Sequence, residues 1–194
     1  MKRILLSILT FCLIITGTNI SQVKSKDPFI KYGTWLILQA VPSPAFFEDR
    51  NSDNSALRFG LEWQVIPVSY SFNTNKYLSP INIFYITPVK RFSGSVESFF
   101  EPSVIIGDYK YAGLKDFMFK TGARIVLPAA HNGEYLAFSI GGGYYWQNTI
   151  YDEKIDGITY EAAVYSFFGM LGLKFNYNQN AVSRYSMGLY FKYY

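Results

Sequence analysis

The sequence ends on RYSMGLYFKYY, residues 184–194, in which apolar and polar side chains alternate at the period of a β-strand. One face carries the apolar residues Tyr185, Met187, Leu189, Phe191 and Tyr193. The other face carries Arg184, Ser186, Gly188, Tyr190, Lys192 and Tyr194. A strand with two such faces at the end of a chain needs a neighbour along each edge. A closed barrel supplies both neighbours, because it leaves no strand edge unpaired.

The composition favours strands that have one apolar and one polar face. Of the 194 residues, 16% are charged and 19% are aromatic, whereas about a quarter of the residues of a soluble domain are charged. After the first twenty residues, no apolar run approaches the ~20 residues of a membrane-spanning helix, which excludes a helical membrane protein. A soluble, lipocalin-like binding barrel has the same alternation with its apolar face inward and its polar face outward, and this alternative stays open.

The first 25 residues have the layout of an export signal. Lys2 and Arg3 precede an apolar run over residues 4–15, which has the length of a signal-peptide core. We expect cleavage at about residues 18–25, which leaves residues 26–194 as a single barrel domain. The only cysteine, Cys12, lies in the apolar run, so the exported chain has no thiol for a disulfide, a metal site or a nucleophile.

Alternating segments separated by turn residues predict eight strands. They are residues 33–40, 57–72, 81–91, 95–106, 117–127, 135–148, 158–177 and 184–194. The polar stretch 46–55 (FFEDRNSDNS) is predicted as a surface loop. The apolar phase slips by one residue at Pro67, which predicts a β-bulge. The predicted fold class is therefore all-β, an eight-stranded antiparallel up-and-down barrel whose last strand pairs with residues 33–40.

Charged and polar side chains occupy the face that such a barrel turns inward. They are Arg58, Glu62, Gln64, Glu97, Glu101, Lys120, Arg124 and Lys174. Buried charges are costly unless they are paired, so we expect acids and bases to pair across the interior. The network is either a structural plug or the selectivity filter of a narrow solute channel. Glycines 141–143 lie in an alternating strand, where they predict a bend or close packing by a neighbouring aromatic ring.

The pattern over residues 33–194 resembles small bacterial outer-membrane barrels, the size class of outer membrane protein A and of the lipid A-modifying barrels. The resemblance implies a transmembrane barrel in the outer membrane, with a structural or surface-interaction role or, alternatively, a role in lipid handling. It implies membrane lipid and the barrel-assembly machinery as partners, and no cofactor. The candidate interfacial aromatic residues are Trp35, Trp63, Trp146 and Tyr193. The chain departs from the group at its last residue, because Tyr194 falls on the polar face.

A periplasmic C-terminus would place the loop 41–56 outside the cell and, by strand parity, His131 as well. His131, Glu134 and Ser139 are close in sequence, and a lipid A hydrolase needs a base and a nucleophile near the membrane surface. The deacylase resemblance calls for His and Ser two residues apart on one strand, and this sequence has no such pair. We therefore predict no enzymatic activity, with lipid A modification as an alternative. We also predict no metal site and no nucleic-acid partner, because loss of Lys2 and Arg3 with the signal lowers the net charge from +4 to about +2.

Overall fold

The computed structural model describes residues 40–72, 76–78, 91–167, 169–179 and 181–191. The export signal, the predicted strand up to residue 39, residues 81–90 of the third predicted strand and residues 192–194 lie outside the described part. The elements are β1 (Ser43–Arg50), β2 (Ser55–Glu62), β3 (Ser69–Ser71), β4 (Lys76–Leu78), β5 (Ser95–Ile105), β6 (Leu114–Ala130), the 3₁₀ turn η1 (His131–Gly133), β7 (Leu136–Thr149), β8 (Lys154–Ser166), β9 (Leu171–Asn178) and β10 (Tyr185–Phe191). No helix in these ranges is long and apolar enough to cross a membrane.

Among the described residues, eight strands close into an antiparallel ring, which confirms the predicted all-β barrel. The order is β1, β2, β5, β6, β7, β8, β9 and β10, and β10 pairs back onto β1. The short strands β3 and β4 form a hairpin in which β3 continues the path of β2 along β5. Each ring strand therefore lies beside its neighbours in sequence, apart from that hairpin.

The strands are staggered around the ring. A path around the ring can be followed from each residue to its Cα partner on the next strand. It starts at Phe59 on β2, passes through Phe46, Met187, Phe175, Ala162, Ile140, Ile125 and Val96, and ends at Tyr70 on β3. The path thus returns to the starting strand eleven residues further on, from residue 59 to residue 70. Such a stagger requires strands that are tilted against the barrel axis, and eight strands leave an interior that side chains can fill.

The bulge predicted at Pro67 is confirmed. Val65 exchanges backbone hydrogen bonds with Phe100 at 2.8 and 2.9 Å, and Ser98 N donates to Val68 O at 2.9 Å. The chain therefore advances three residues, from 65 to 68, while β5 advances two, from 100 to 98. The extra residue reverses the faces of the strand, as a β-bulge does. The buried positions on either side of it are Gln64, Ile66, Ser69 and Ser71.

In the described part of the chain the ring strand that pairs with β10 is β1, while the predicted partner, residues 33–40, lies outside that part except for Ala40. Most of β1 falls in the stretch predicted as loop, and this prediction is wrong because the charged residues that suggested a loop have fixed partners. Asp49 is buried and accepts a hydrogen bond from Arg58 Nε at 2.7 Å. Glu48 Oε2 accepts the backbone N–H groups of Arg184 at 3.1 Å and Tyr185 at 3.3 Å. The polar turn is confined to residues 51–54.

The predicted strand 158–177 is in fact two strands, β8 and β9. Between them Phe167 and Gly169 have φ angles of +51° and +74°, in the left-handed region used by tight turns. Phe167 continues the apolar phase of Tyr165 and Leu171, and this hides the turn from the sequence pattern. The turn also reverses the faces of β8, so Tyr165 points inward instead of outward.

The position in the ring that was predicted for residues 81–91 is taken by no strand, and of these residues the structure describes only Arg91. In the described part of the chain β2 pairs directly with β5, so no strand separates them. Arg91 has helical backbone rather than the extended backbone predicted for it. The count of eight is correct because this extra strand offsets the missed turn between β8 and β9.

The connections lie at two ends of the ring. We call the end with connections 51–54, 106–113, 150–153 and 179–184 the loop end. The end with connections 92–94, 131–135 and 167–170 is the turn end. Antiparallel pairing places His131 at the turn end, opposite the 51–54 turn. The prediction that put both on the same side is wrong, because three ring strands, β2, β5 and β6, lie between them in sequence where four were predicted.

The outward face of the ring is apolar, and the inward face is largely polar. Leu57 and Phe59 on β2 are 70% and 42% exposed, whereas Glu62 on the same strand is 2% exposed. Outward side chains of the other strands repeat this pattern. They include Phe117, Ile125, Phe138, Ile140, Ile158, Phe175 and Leu189.

Candidate functional site

Eight charged side chains meet inside the ring and form what we call the ion-pair network. Its members are Glu62, Glu97, Glu101, Glu161, Arg91, Lys120, Arg124 and Lys174. All eight are at most 4% exposed. Four carboxylates face four cations, so the network has no net formal charge. Alternation along β5, β6, β8 and β9 places Glu97, Glu101, Lys120, Arg124, Glu161 and Lys174 on the inner face.

Glu62 and Lys174 connect the part of the ion-pair network that contains its two lysines. Lys120 Nζ donates to Glu62 Oε2 at 2.6 Å, and Lys174 Nζ is paired with Glu62 Oε1. Lys174 also donates to Glu101 Oε2 at 2.6 Å. Ser103 Oγ adds a hydrogen bond to Glu62 at 3.3 Å. Residues from β2, β5, β6 and β9 are thereby joined across the interior.

Arg124 holds the other half of the network. Its Nε donates to Glu97 Oε2 at 3.1 Å, and its Nη1 donates to Glu161 Oε1 at 2.7 Å and to Glu101 Oε1 at 3.4 Å. The guanidinium carbon lies 5.4 Å from the centre of the Phe99 ring, within the range of a cation–π contact. One side chain on β6 thus joins three carboxylates on two other strands.

Arg91 extends the network to the turn end. Its Nη2 donates to Glu97 Oε2 at 2.9 Å, and its Nη1 donates to the Tyr190 hydroxyl at 3.0 Å. Its guanidinium carbon lies 4.7 Å from the centre of the Phe92 ring. A residue that precedes β5 therefore enters the barrel and is fixed there by β5 and β10.

Glycines on the inner face make room for these large side chains. A Cβ atom on Gly122 would lie 2.8 Å from the Phe99 ring and 2.3 Å from Gly142 O. A Cβ atom on Gly141 would lie 2.6 Å from Arg124 Cβ. Close packing by an aromatic ring, one of the two structures predicted for glycines 141–143, is not found: Gly141 and Gly143 lie against Arg124 and Thr121 of β6, and the Phe99 ring lies at Gly122 instead.

An apolar cluster closes the interior at each end. The cluster at the loop end contains Ala45, Phe47, Ile105, Tyr109, Leu114, Met118, Tyr145 and Ala181. The cluster at the turn end contains Phe92, Val126, Ala137, Ala163, Tyr165 and Tyr190. Burial raises the pKa of the Tyr109 phenol, which belongs to the 106–113 loop. The ion-pair network is therefore enclosed between two layers of aromatic and aliphatic side chains.

Asp49 fixes the 106–113 loop over the loop end. Its carboxylate accepts the backbone N–H groups of Lys110 at 2.8 Å, Tyr111 at 2.9 Å and Ala112 at 2.8 Å. Arg58 pairs with the same carboxylate at 2.7 Å. Three adjacent amides and one guanidinium thus share a single buried acceptor, which holds the loop across the opening.

The residues predicted to face the interior divide into two groups in the structure. Glu62, Glu97, Glu101, Lys120, Arg124 and Lys174 belong to the ion-pair network. Arg58 instead pairs with Asp49, and Gln64 is buried beside the bulge. The sequence pattern missed Arg91, because its backbone is helical where a strand was predicted, and Glu161, because the hidden turn reversed the predicted faces of β8. The run Thr159, Glu161, Ala163, Tyr165 against Ile158, Tyr160, Ala162, Val164 is the signal that identifies Glu161.

Two of the four candidate interfacial aromatic residues lie within the described part of the chain. Trp63 Nε1 donates to Ala40 O at 2.8 Å. Trp146 is 38% exposed and packs against Phe119 and Tyr144 at centroid distances of 5.3 and 5.1 Å. Trp35 and Tyr193 lie outside the described residues.

The residues considered for lipid A hydrolysis do not come together. His131 is exposed and packs edge-on against Tyr135 at 4.6 Å. Ser139 is buried on the inner face, where its Oγ donates to the Tyr165 hydroxyl at 3.3 Å. Glu134 binds His131 through its backbone, with N donating to His131 O at 3.0 Å. The hydroxyl therefore lies inside the barrel and the imidazole on its surface.

No protein family, curated protein or solved structure matches the chain. The function is therefore inferred from the geometry of the barrel. Each charge in the network has a fixed partner of opposite sign, and both ends of the interior are covered by apolar side chains. Such an arrangement fills and cross-links a barrel. Buried ion pairs add little net stability by themselves, but breaking one is costly.

Proposed function

We propose that the chain is a membrane-spanning barrel of a bacterial outer membrane, with a closed, salt-bridged interior and a structural or surface-interaction role. The observation that carries the proposal is the inverted polarity of the ring. Its inside holds eight buried charged side chains, while aliphatic and aromatic side chains stand exposed on its outside. A soluble barrel would have the opposite arrangement.

The outward apolar face is continuous from strand to strand. The path of Cα partners from Phe59 around the ring to Tyr70 contains only apolar and aromatic residues. Soluble monomers rarely expose an apolar patch larger than a few hundred Å². In hydrocarbon the same surface is favourable, and the ring leaves no strand edge without a partner.

Outward aromatic residues near the loop end support an interfacial belt. Tyr177 packs against Tyr160 on β8 and Tyr185 on β10, at centroid distances of 6.4 and 5.4 Å. Phe119, Trp146 and Tyr144 form a second group on β6 and β7. Tyrosine and tryptophan favour the boundary between hydrocarbon and water, because each combines an apolar ring with a polar group. With a periplasmic C-terminus, the loop end faces the outside of the cell.

Heat-modifiable migration and cell fractionation test the proposal. We expect the full chain to sediment with the outer membrane. We also expect an unboiled sample to migrate differently from a boiled sample on a denaturing gel, because a closed barrel resists detergent. A soluble periplasmic protein whose migration does not depend on boiling would refute the membrane proposal.

Conductance in planar bilayers tests whether the interior is closed. We expect no steady conductance from the full chain, nor from Glu62→Gln or Glu101→Gln, because the network and both apolar clusters fill the space. A steady, ion-selective current that changes in either variant would instead support the narrow solute channel.

A further inference from the structure

The loop end has a cleft between the β1–β2 turn and the β9–β10 connection. Its volume is about 410 Å³, and it is lined by Arg50, Asn51, Ser52, Ala181, Val182 and Arg184. The lining combines two guanidinium groups, one amide and one hydroxyl with two small apolar side chains. These are groups that donate hydrogen bonds to an anion.

Glu48 contacts both arginines, but only Arg50 through its guanidinium group. Its Oε2 is occupied by the backbone N–H groups of Arg184 and Tyr185. Its Oε1 lies 3.8 Å from Arg50 Nη1, a long contact for an ion pair. The Arg50 side chain is 53% exposed. Most of its five N–H groups therefore stay available to a ligand, and the three charged groups together carry one positive charge.

Asn51 lines the cleft and has a side-chain donor left for a ligand, because its acceptor is used by the turn. Its Oδ1 accepts the backbone N–H groups of Asp53 at 3.0 Å and Asn54 at 2.8 Å. These bonds form an Asx turn, which fixes the side chain. The Nδ2 group is the remaining polar group of Asn51, next to the Ser52 hydroxyl in the cleft lining.

We propose that this cleft binds the phosphate group of an anionic membrane lipid. Guanidinium groups bind phosphate through paired, charge-assisted hydrogen bonds. The outward wall that continues from the cleft is apolar, with Phe46, Leu57, Phe59 and Tyr185 on the adjoining strands. A lipid is favoured over free phosphate because its acyl chains can lie on this wall. The inference rests on the proposed function, which places the wall in the membrane.

Binding of phosphatidylglycerol to the full chain in uncharged detergent micelles tests the cleft, with native mass spectrometry as the readout. Arg50→Gln/Arg184→Gln should weaken binding at least about tenfold. Lys115→Gln/Lys154→Gln removes two positive charges from the same end and should change binding by less than about twofold. Equal weakening in both double variants, or none in the arginine variant, overturns the proposal. Arg184→Gln alone is the second variant if the double variant fails to fold.

Two further arms identify the source of the phosphate and separate this inference from the proposed function. Diacylglycerol with the same acyl chains should not bind at the cleft, and excess inorganic phosphate should leave the bound lipid in place. Inorganic phosphate that binds alone and displaces the lipid would make the cleft a soluble-phosphate site. If the barrel inserts into vesicles but the arginine variant binds the lipid as tightly as the unmodified chain, only the proposal for the cleft is refuted. A chain that fails to insert refutes the proposed function.

Discussion

Arg91 Nη2 donates to Glu97 Oε2 at 2.9 Å, and both side chains are fully buried. Glu97 also accepts from Arg124 Nε at 3.1 Å, so two guanidinium groups share one carboxylate. The residue that precedes β5 is thereby tied to β5 and β6 inside the barrel. The turn-end part of the ion-pair network therefore depends on the single side chain of Glu97.

Glu97→Gln is expected to lower the free energy of unfolding by about 3–5 kcal/mol, because it leaves two buried guanidinium groups without their shared carboxylate. Urea unfolding of the chain in lipid vesicles, followed by tryptophan fluorescence, measures the change. Glu153→Gln, in the exposed 150–153 connection, is the control and should stay within about 0.5 kcal/mol of the unmodified chain. Equal stability of the two variants would contradict the shared role of Glu97.

Lys174→Met is expected to destabilise the barrel by about 3–5 kcal/mol, because four buried carboxylates would then face three cations. Adding Glu101→Gln restores the balance, since Lys174 Nζ and Glu101 Oε2 are direct partners at 2.6 Å. A double-mutant cycle in vesicles should give a coupling energy of about 1–3 kcal/mol. Strictly additive losses would mean that the two groups act independently.

Gly169→Ala is expected to destabilise the barrel by about 2 kcal/mol or more, from overpacking and from a left-handed φ. Gly169 has a φ of +74°, and a Cβ atom on it would lie 1.9 Å from the Phe92 ring. Gly113→Ala is the matched control, because Gly113 has a φ of +61° and open space at its Cβ position. The difference between the two unfolding free energies isolates the collision with Phe92. Equal losses would show that backbone strain alone is responsible.

Ile140→Arg tests whether the outward wall faces lipid. Ile140 is 61% exposed on β7, so in water the substitution would cost little. In a bilayer an arginine on the lipid face costs about 2–4 kcal/mol near the midplane. We expect this loss in vesicle-based unfolding, and no comparable loss for Tyr151→Arg in the 150–153 connection. If Ile140→Arg is tolerated as well as Tyr151→Arg, the wall does not lie in the membrane.

Asp49→Ala is expected to release the 106–113 loop, because three backbone amides lose their common acceptor. Trypsin should then cleave after Lys110 at least about tenfold faster than in the unmodified chain, as local opening becomes more frequent. Asp53→Ala, in the exposed 51–54 turn, serves as the control. Unchanged cleavage would show that Tyr109 and its apolar neighbours hold the loop without Asp49.

Side-chain alternation predicts the faces of strands well, since each inward and outward position follows from a period of two. Glu97, Glu101, Lys120 and Arg124 face inward as this period predicts. Alternation does not detect a turn made of apolar residues, and so the turn at 167–170 and the inward position of Glu161 stayed hidden. Which charged side chains pair across the interior depends on the register between strands that are distant in sequence. The contacts of Arg124 with two other strands therefore could not be deduced from one strand at a time.

A charged composition wrongly predicts a loop where the charged side chains have partners within the fold. Residues 46–50 look like a loop because three of the five are charged. In the structure they belong to β1, where Asp49 serves the loop amides and Glu48 serves the amides that begin β10. Local sequence carries no information about acceptors needed by segments that lie 61 to 137 residues away.

Among the described residues, the ladder that closes the ring is one of its two shortest, together with the ladder between β2 and β5. β1 and β10 are joined by three Cα pairs, whereas β10 and β9 share seven. The two strands come from opposite ends of the described chain, so their meeting carries a large loop-closure entropy and little pairing to offset it. We therefore expect the molecule to assemble as an open ribbon that zips from the long hairpins of β6, β7 and β8. The β1–β10 contact would form last and part first, and it would set the lifetime of the folded state.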